Sequence, residues 1–148
     1  MAVVSSLGQL WDTNATNHTV TATPAVDDLI VIVHGASGWA AGDTSSVSDN
    51  GAGGTYTKIG ADPLSSGGGS QGALWISIRD NLVSSAVSTV YTETSVGDTG
   101  GGLTVFKVTG MSKVGSAAAK QSDGESTQSE NPPTIVLATA PLTDNACI

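Results

Sequence analysis

The chain is poor in the groups on which most protein chemistry depends. Of its 148 residues, one is cysteine, two are histidine and five are lysine or arginine. A single thiol, Cys147, excludes an internal disulfide and any cluster of thiolates for zinc. The five cations, Lys58, Arg79, Lys107, Lys113 and Lys120, are scattered, and 13 acids outweigh them to a formal net charge of −8. Nucleic-acid binding needs Lys and Arg to displace counterions from phosphate, and anionic membranes select for the same charge, so neither is expected as a partner. Charged residues make up only 12% of the chain, against about 25% in an ordinary globular protein. The longest apolar run, Leu29–Val33, is far short of the roughly 20 residues of a membrane-spanning helix. Met1–Gln9 has no basic region followed by a long apolar core, so no secretory leader is read and synthesis in a cytosol is expected. No stretch of a dozen residues carries an apolar stripe of helical period.

What remains is Ser, Thr, Gly and short apolar runs. Ser and Thr together make up roughly a quarter of the chain, and 19 residues are glycine. Thr suits strands, whereas Gly, Ser and Asn suit tight turns. Period-two alternation predicts strands at Leu7–Trp11, His18–Thr23, Ser46–Ser48, Thr55–Ile59, Ala73–Arg79, Ser88–Thr94, Leu103–Val108 and Thr134–Ala140. Leu29–His34 is unbroken and largely β-branched, which predicts a central strand buried on both faces. Gly35–Gly42, Asp49–Gly54, Leu64–Gly72, Val96–Gly102 and Asp123–Pro133 read as turns and loops. The fold class expected is all-β: one antiparallel β-sandwich domain over residues 1–148, jelly-roll-like, with about eight to ten short strands. Ala146-Cys147-Ile148 resembles the opening of a further strand. It is an edge strand, a strand that pairs with another subunit, or the start of a part lost by truncation.

Candidate chemistry is thin. Gly67, Gly69 and Gly72 have dinucleotide-loop spacing, but they precede a strand where that site needs a following helix. Asp98-Thr99-Gly100 spells the aspartic-protease tripeptide without its apolar frame or a second copy. His34 and Ser37 lie close in sequence, yet no nucleophile elbow accompanies them. His34 is read as a packed or capping residue, and His18 as the start of an exposed strand. Asp27, Asp28, Asp43, Asp49 and Asn50 sit in loops that would gather at one end of a sandwich. They make structural calcium a minor alternative to ordinary turn chemistry. No catalytic, cofactor or metal residues are assigned. Aromatic and terminal apolar residues are the contact candidates: Trp39 in a glycine-flanked loop, Trp75 opposite the Leu74/Ile76/Ile78 face, Phe106, Cys147 and Ile148.

Three segments carry a resemblance. They are Thr19–Thr23 with Pro24, Asp27-Asp28 and Leu29–His34; Val47-Ser48-Asp49-Asn50 running through glycines into Thr55-Tyr56-Thr57; and Gly100-Gly101-Gly102 leading into Leu103–Thr109 and Gly110-Met111. Together they resemble β-sandwich proteins of tailed-bacteriophage virions, whose members run on past this length. The resemblance implies a non-enzymatic structural protein, foremost a capsid decoration or cement protein located on the virion. Its partners would be the major capsid protein or other virion proteins, and it would form a homo-oligomer, trimer or dimer. The alternative is a glycan-binding sandwich, as a tail or fibre component or a secreted carbohydrate-binding protein.

Overall fold

In a computed structural model of the chain, residues 3–13, 16–26, 28–37, 44–51, 55–59, 72–80, 88–96 and 100–109 are described. They form eight strands: β1 (Val3–Asp12), β2 (Asn17–Ala22), β3 (Leu29–Ser37), β4 (Thr44–Asp49), β5 (Thr57–Ile59), β6 (Gly72–Asp80), β7 (Thr89–Val96) and β8 (Gly100–Thr109). A five-stranded sheet runs β1-β8-β3-β6-β5 and a three-stranded sheet runs β2-β7-β4. Every pairing is antiparallel.

The pairings nest. The first strand pairs with the eighth, the second with the seventh and the third with the sixth. A long two-stranded ribbon folded over on itself gives this order, and the sideways pairs β8–β3 and β7–β4 join its turns into sheets. That is a jelly-roll order, in keeping with the expected fold class, although the short strands and loops of the sequence do not give the order itself. One strand departs from it. β5 pairs with β6 and so extends the larger sheet, where strict nesting would place it beside β4.

The two sheets pack face to face. Alternate residues point inward, as strand geometry requires. Val20 and Tyr91 from the small sheet meet Ile30, Ile32, Leu103 and Val105 from the large one, all of them buried. A second cluster, Leu29, Val31 and Val108, lies on the opposite face of the large sheet, with Ile59 and Phe106 packed against it. β3 is therefore buried on both faces, which is why its sequence is unbroken Leu-Ile-Val-Ile where its neighbours alternate.

The segment Val96–Gly102, expected as a loop, is shorter than that. Gly100, Gly101 and Gly102 belong to β8. A Cβ on Gly101 would lie 2.4 Å from the carbonyl oxygen of Gly35 in β3, and one on Gly102 would lie 2.1 Å from that of Leu10 in β1. The glycines let β8 pass closely between two neighbouring backbones, so their role is close approach within a strand.

Candidate functional site

One end of the inter-sheet core is polar. On β7 the inward positions are Thr89, Tyr91, Glu93 and Ser95, all buried. Tyr91 belongs to the apolar part, and two residues on the same alternation carries Glu93 into the interior. In β2 the same parity turns His18 and Val20 inward. Register then sets His18 opposite Glu93, and Ser45 of β4 opposite Ser95. From the facing sheet, His34 of β3 completes the group.

Glu93 is fully buried and accepts every hydrogen bond its carboxylate receives here. Its Oε2 lies 2.8 Å from His18 Nδ1. Its Oε1 accepts from Ser45 Oγ at 3.0 Å and from Ser95 Oγ. The Ser45 hydroxyl has a single proton and gives it to Glu93. The 3.0 Å contact between Ser45 Oγ and His34 Nδ1 is therefore donated by His34. A relay runs from His34 through Ser45 to Glu93 and ties the large sheet to the small one. The opposite nitrogen of His18, Nε2, is buried with no hydrogen-bond partner among the described residues.

This order does not suit nucleophilic catalysis. A serine hydrolase places histidine between serine and acid, so that the imidazole takes the serine proton. In this cluster serine stands between histidine and acid and is already donating. His18 and Glu93 are 0% exposed and His34 is 1% exposed, so water and substrate are shut out. The arrangement cross-links two sheets with directional bonds in a low-dielectric interior, where a satisfied network is rigid and an incomplete one is costly.

The other polar residues singled out in the sequence serve turns. Asp28, 5% exposed, accepts from the backbone of Ala25 at 2.8 Å. Asp49 accepts from the Gly51 backbone and from the Tyr56 hydroxyl, each at 2.8 Å. The Asn50 side chain accepts from the Val90 backbone at 2.8 Å, which pins the end of β4 to β7. Among the described residues no group of three or more metal-ligating side chains occurs. Asp27, Asp43 and Asp98 lie outside the described residues, as do Gly67 and Gly69, while Gly72 opens β6.

Of the contact candidates, Trp39, Cys147 and Ile148 lie outside the described residues. Trp75 falls in β6, opposite His34 in register. Phe106 is half-buried against the Leu29/Val31/Val108 cluster. His18, expected at the start of an exposed strand, is fully enclosed, because it shares the parity of Val20. Glu93 drew no attention in the sequence. A lone acid among threonines looks like a solvated strand, and its partners His18 and Ser45 are 75 and 48 residues away. Among the described residues, the exposed large apolar residues are Val3, Val4, Leu10 and Trp11 on β1, together with Val26. Trp11, at 51%, is an exposed tryptophan that sequence reasoning passed over.

No family model, curated protein or solved structure matches the chain.

Proposed function

We propose that the protein is a non-enzymatic structural module that acts through protein–protein contacts, and that its setting is a tailed-phage virion, foremost as a decoration protein of the capsid shell. The observation that carries the non-catalytic part is the disposition of the two histidines. Both are sealed in the core and bonded toward Glu93, while Val3, Val4, Leu10 and Trp11, exposed and apolar, lie together on β1, which ends the large sheet among the described residues. Among the described residues, the two histidines are thus buried and an apolar patch is outside. The virion setting rests on the three sequence segments that resemble phage β-sandwich proteins. A low-charge, acidic jelly roll with few sites for trypsin also suits a particle exterior.

A second reading, a glycan-binding sandwich, draws on the exposure of Trp11, because an accessible indole can stack on a sugar ring. The two readings separate on purified particles from the same source, examined by quantitative mass spectrometry. A copy number comparable to that of the major capsid protein supports decoration. A few copies move the protein to the tail or a fibre and bring glycan binding forward. Complete absence overturns the virion setting.

A further inference from the structure

We infer that β1 is a homotypic docking edge, on which a second copy of this chain pairs antiparallel, β1 against β1. The inference concerns the edge alone and stands whether or not the virion reading holds.

β1 is ten residues long and ends the five-stranded sheet among the described residues. Seven of its residues, Val3, Val4, Ser6, Gln9, Leu10, Trp11 and Asp12, are exposed. Proteins usually blunt such an edge with lysine, proline, inward-pointing charge or a β-bulge, and of these devices β1 carries the bulge, which here fixes the register of pairing. β1 contains no lysine or proline, and its single charge, Asp12, sits at its last position.

The occupant follows from the bulge. Pairing of β1 with β8 shifts register between Ser6 and Gly8, so Leu7 is the extra residue. Before the bulge, Val4 and Ser6 share a face with Val108 and Phe106; after it, Gln9 and Trp11 share that same face with Thr104 and Gly102. The bulge has exchanged odd for even positions. In an antiparallel pair, residues directly opposite must point to the same side of the sheet. Overlap of two complete β1 strands sets Val3 opposite Asp12, Val4 opposite Trp11, Ser5 opposite Leu10 and Ser6 opposite Gln9. In a regular strand every one of these pairs would be split between faces. With the bulge at the two-fold axis, each pair falls on one face, so the edge is self-complementary over its full length.

Side chains and charge agree with that register. Trp11, 51% exposed, covers Val4 of the second copy, 39% exposed, an aromatic–β-branched pair of the kind that stabilises sheets. Asp12 and Lys107 are the only charged residues of β1 and β8. Lys107 stands opposite Ser5, on the face shared by Val3. Each Asp12 therefore arrives at the end of the second copy where the cation lies. Ten residues per partner is well below the roughly 20–30 of a standard interface, so the dimer is weak and concentration-dependent.

Sedimentation velocity over a range of protein concentrations reads the dimer, and paired charges read the register. Wild-type protein is expected to shift from monomer to dimer as concentration rises. Val4→Lys with Trp11→Lys sets like charges opposite each other and is expected to hold the protein monomeric, with its unfolding midpoint near that of wild type because both side chains are exposed. Val4→Lys with Trp11→Glu sets opposite charges there and is expected to restore the dimer. In a Cys147→Ser background, Ser6→Cys protein mixed with Gln9→Cys protein and oxidised with oxidised glutathione, which takes up the two electrons, is expected to form an intermolecular disulfide that neither forms alone. A wild-type chain that stays monomeric throughout, including one that binds particles through β1 only as a monomer, overturns the inference. So does a dimer indifferent to the charge at positions 4 and 11.

Discussion

Removing the Glu93 carboxylate should cost far more than its place in a polar stretch of sequence suggests. Glu93→Ala withdraws the acceptor from three donors, the buried His18 Nδ1 and Ser95 Oγ and the half-buried Ser45 Oγ. An unsatisfied buried polar group costs about 1–3 kcal/mol. The serine hydroxyls can swing to other acceptors, whereas the His18 ring is fixed in the core, and the lost side chain leaves a void besides. Relief from burying a charge offsets part of this. The expected net loss is about 2–5 kcal/mol, from the unsatisfied donors and the void together. Against a total stability of about 5–15 kcal/mol that is a large fraction. Glu93→Gln separates shape from charge. The amide oxygen can still accept from the serines, but its NH2 group then faces His18 Nδ1. His18 must move its proton to Nε2, where no described partner waits, so a loss of about 1–3 kcal/mol is expected. Urea unfolding followed by circular dichroism, extrapolated to water, gives each value. His18→Phe completes a double-mutant cycle, in which the double variant with Glu93→Gln should lose less than the sum of the singles by about 0.5–3 kcal/mol. A Glu93→Ala loss below about 0.5 kcal/mol, the scale of ordinary surface substitutions, would refute the reasoning.

Other expectations follow from packing. Ile32→Ala, at a fully buried position between the sheets, should lose about 2–5 kcal/mol in the same assay, whereas Val3→Ala, 47% exposed, should stay within about 0.5 kcal/mol. Gly101→Ala places a methyl group 2.4 Å from the Gly35 carbonyl oxygen, so β8 and β3 must part. A lower thermal midpoint and a loss of about 1–3 kcal/mol are expected, with faster hydrogen exchange confined to those strands. Tyr56→Phe removes a 2.8 Å hydrogen bond to Asp49 and should cost about 0.5–1.5 kcal/mol, visible as a small shift of the urea midpoint.

The strands among the described residues were legible in the sequence because alternation and β-branching are local signals, while the expected strand Thr134–Ala140 lies outside the described residues. β3 announced its burial on both faces through five consecutive aliphatic residues, Leu29 to Val33, and the structure bears this out. The triple glycine at the start of β8 misled, because glycine marks turns far more often than strands, and only the closeness of β1 and β3 explains it. The polar cluster was illegible for a different reason. Parity offers two faces for β7, Val90-Thr92-Thr94 and Tyr91-Glu93-Ser95, and both contain polar residues. Which face turns inward depends on Tyr91 meeting Val20, Ile30 and Ile32 across the sandwich, a contact made by distant segments. His18 could have been placed by its parity with Val20. The nested strand order depends on long-range pairing throughout, which no local pattern encodes.

The proposed role is binding to other virion proteins without catalysis. The most direct measurement adds purified chain, in increasing amounts, to purified virions stripped of it, and follows co-sedimentation. Saturable binding at a fixed ratio to the major capsid protein, with greater resistance of the particle to heat, is the predicted result. Particles that bind none of it at any concentration, while the folded chain remains in solution, would contradict the account.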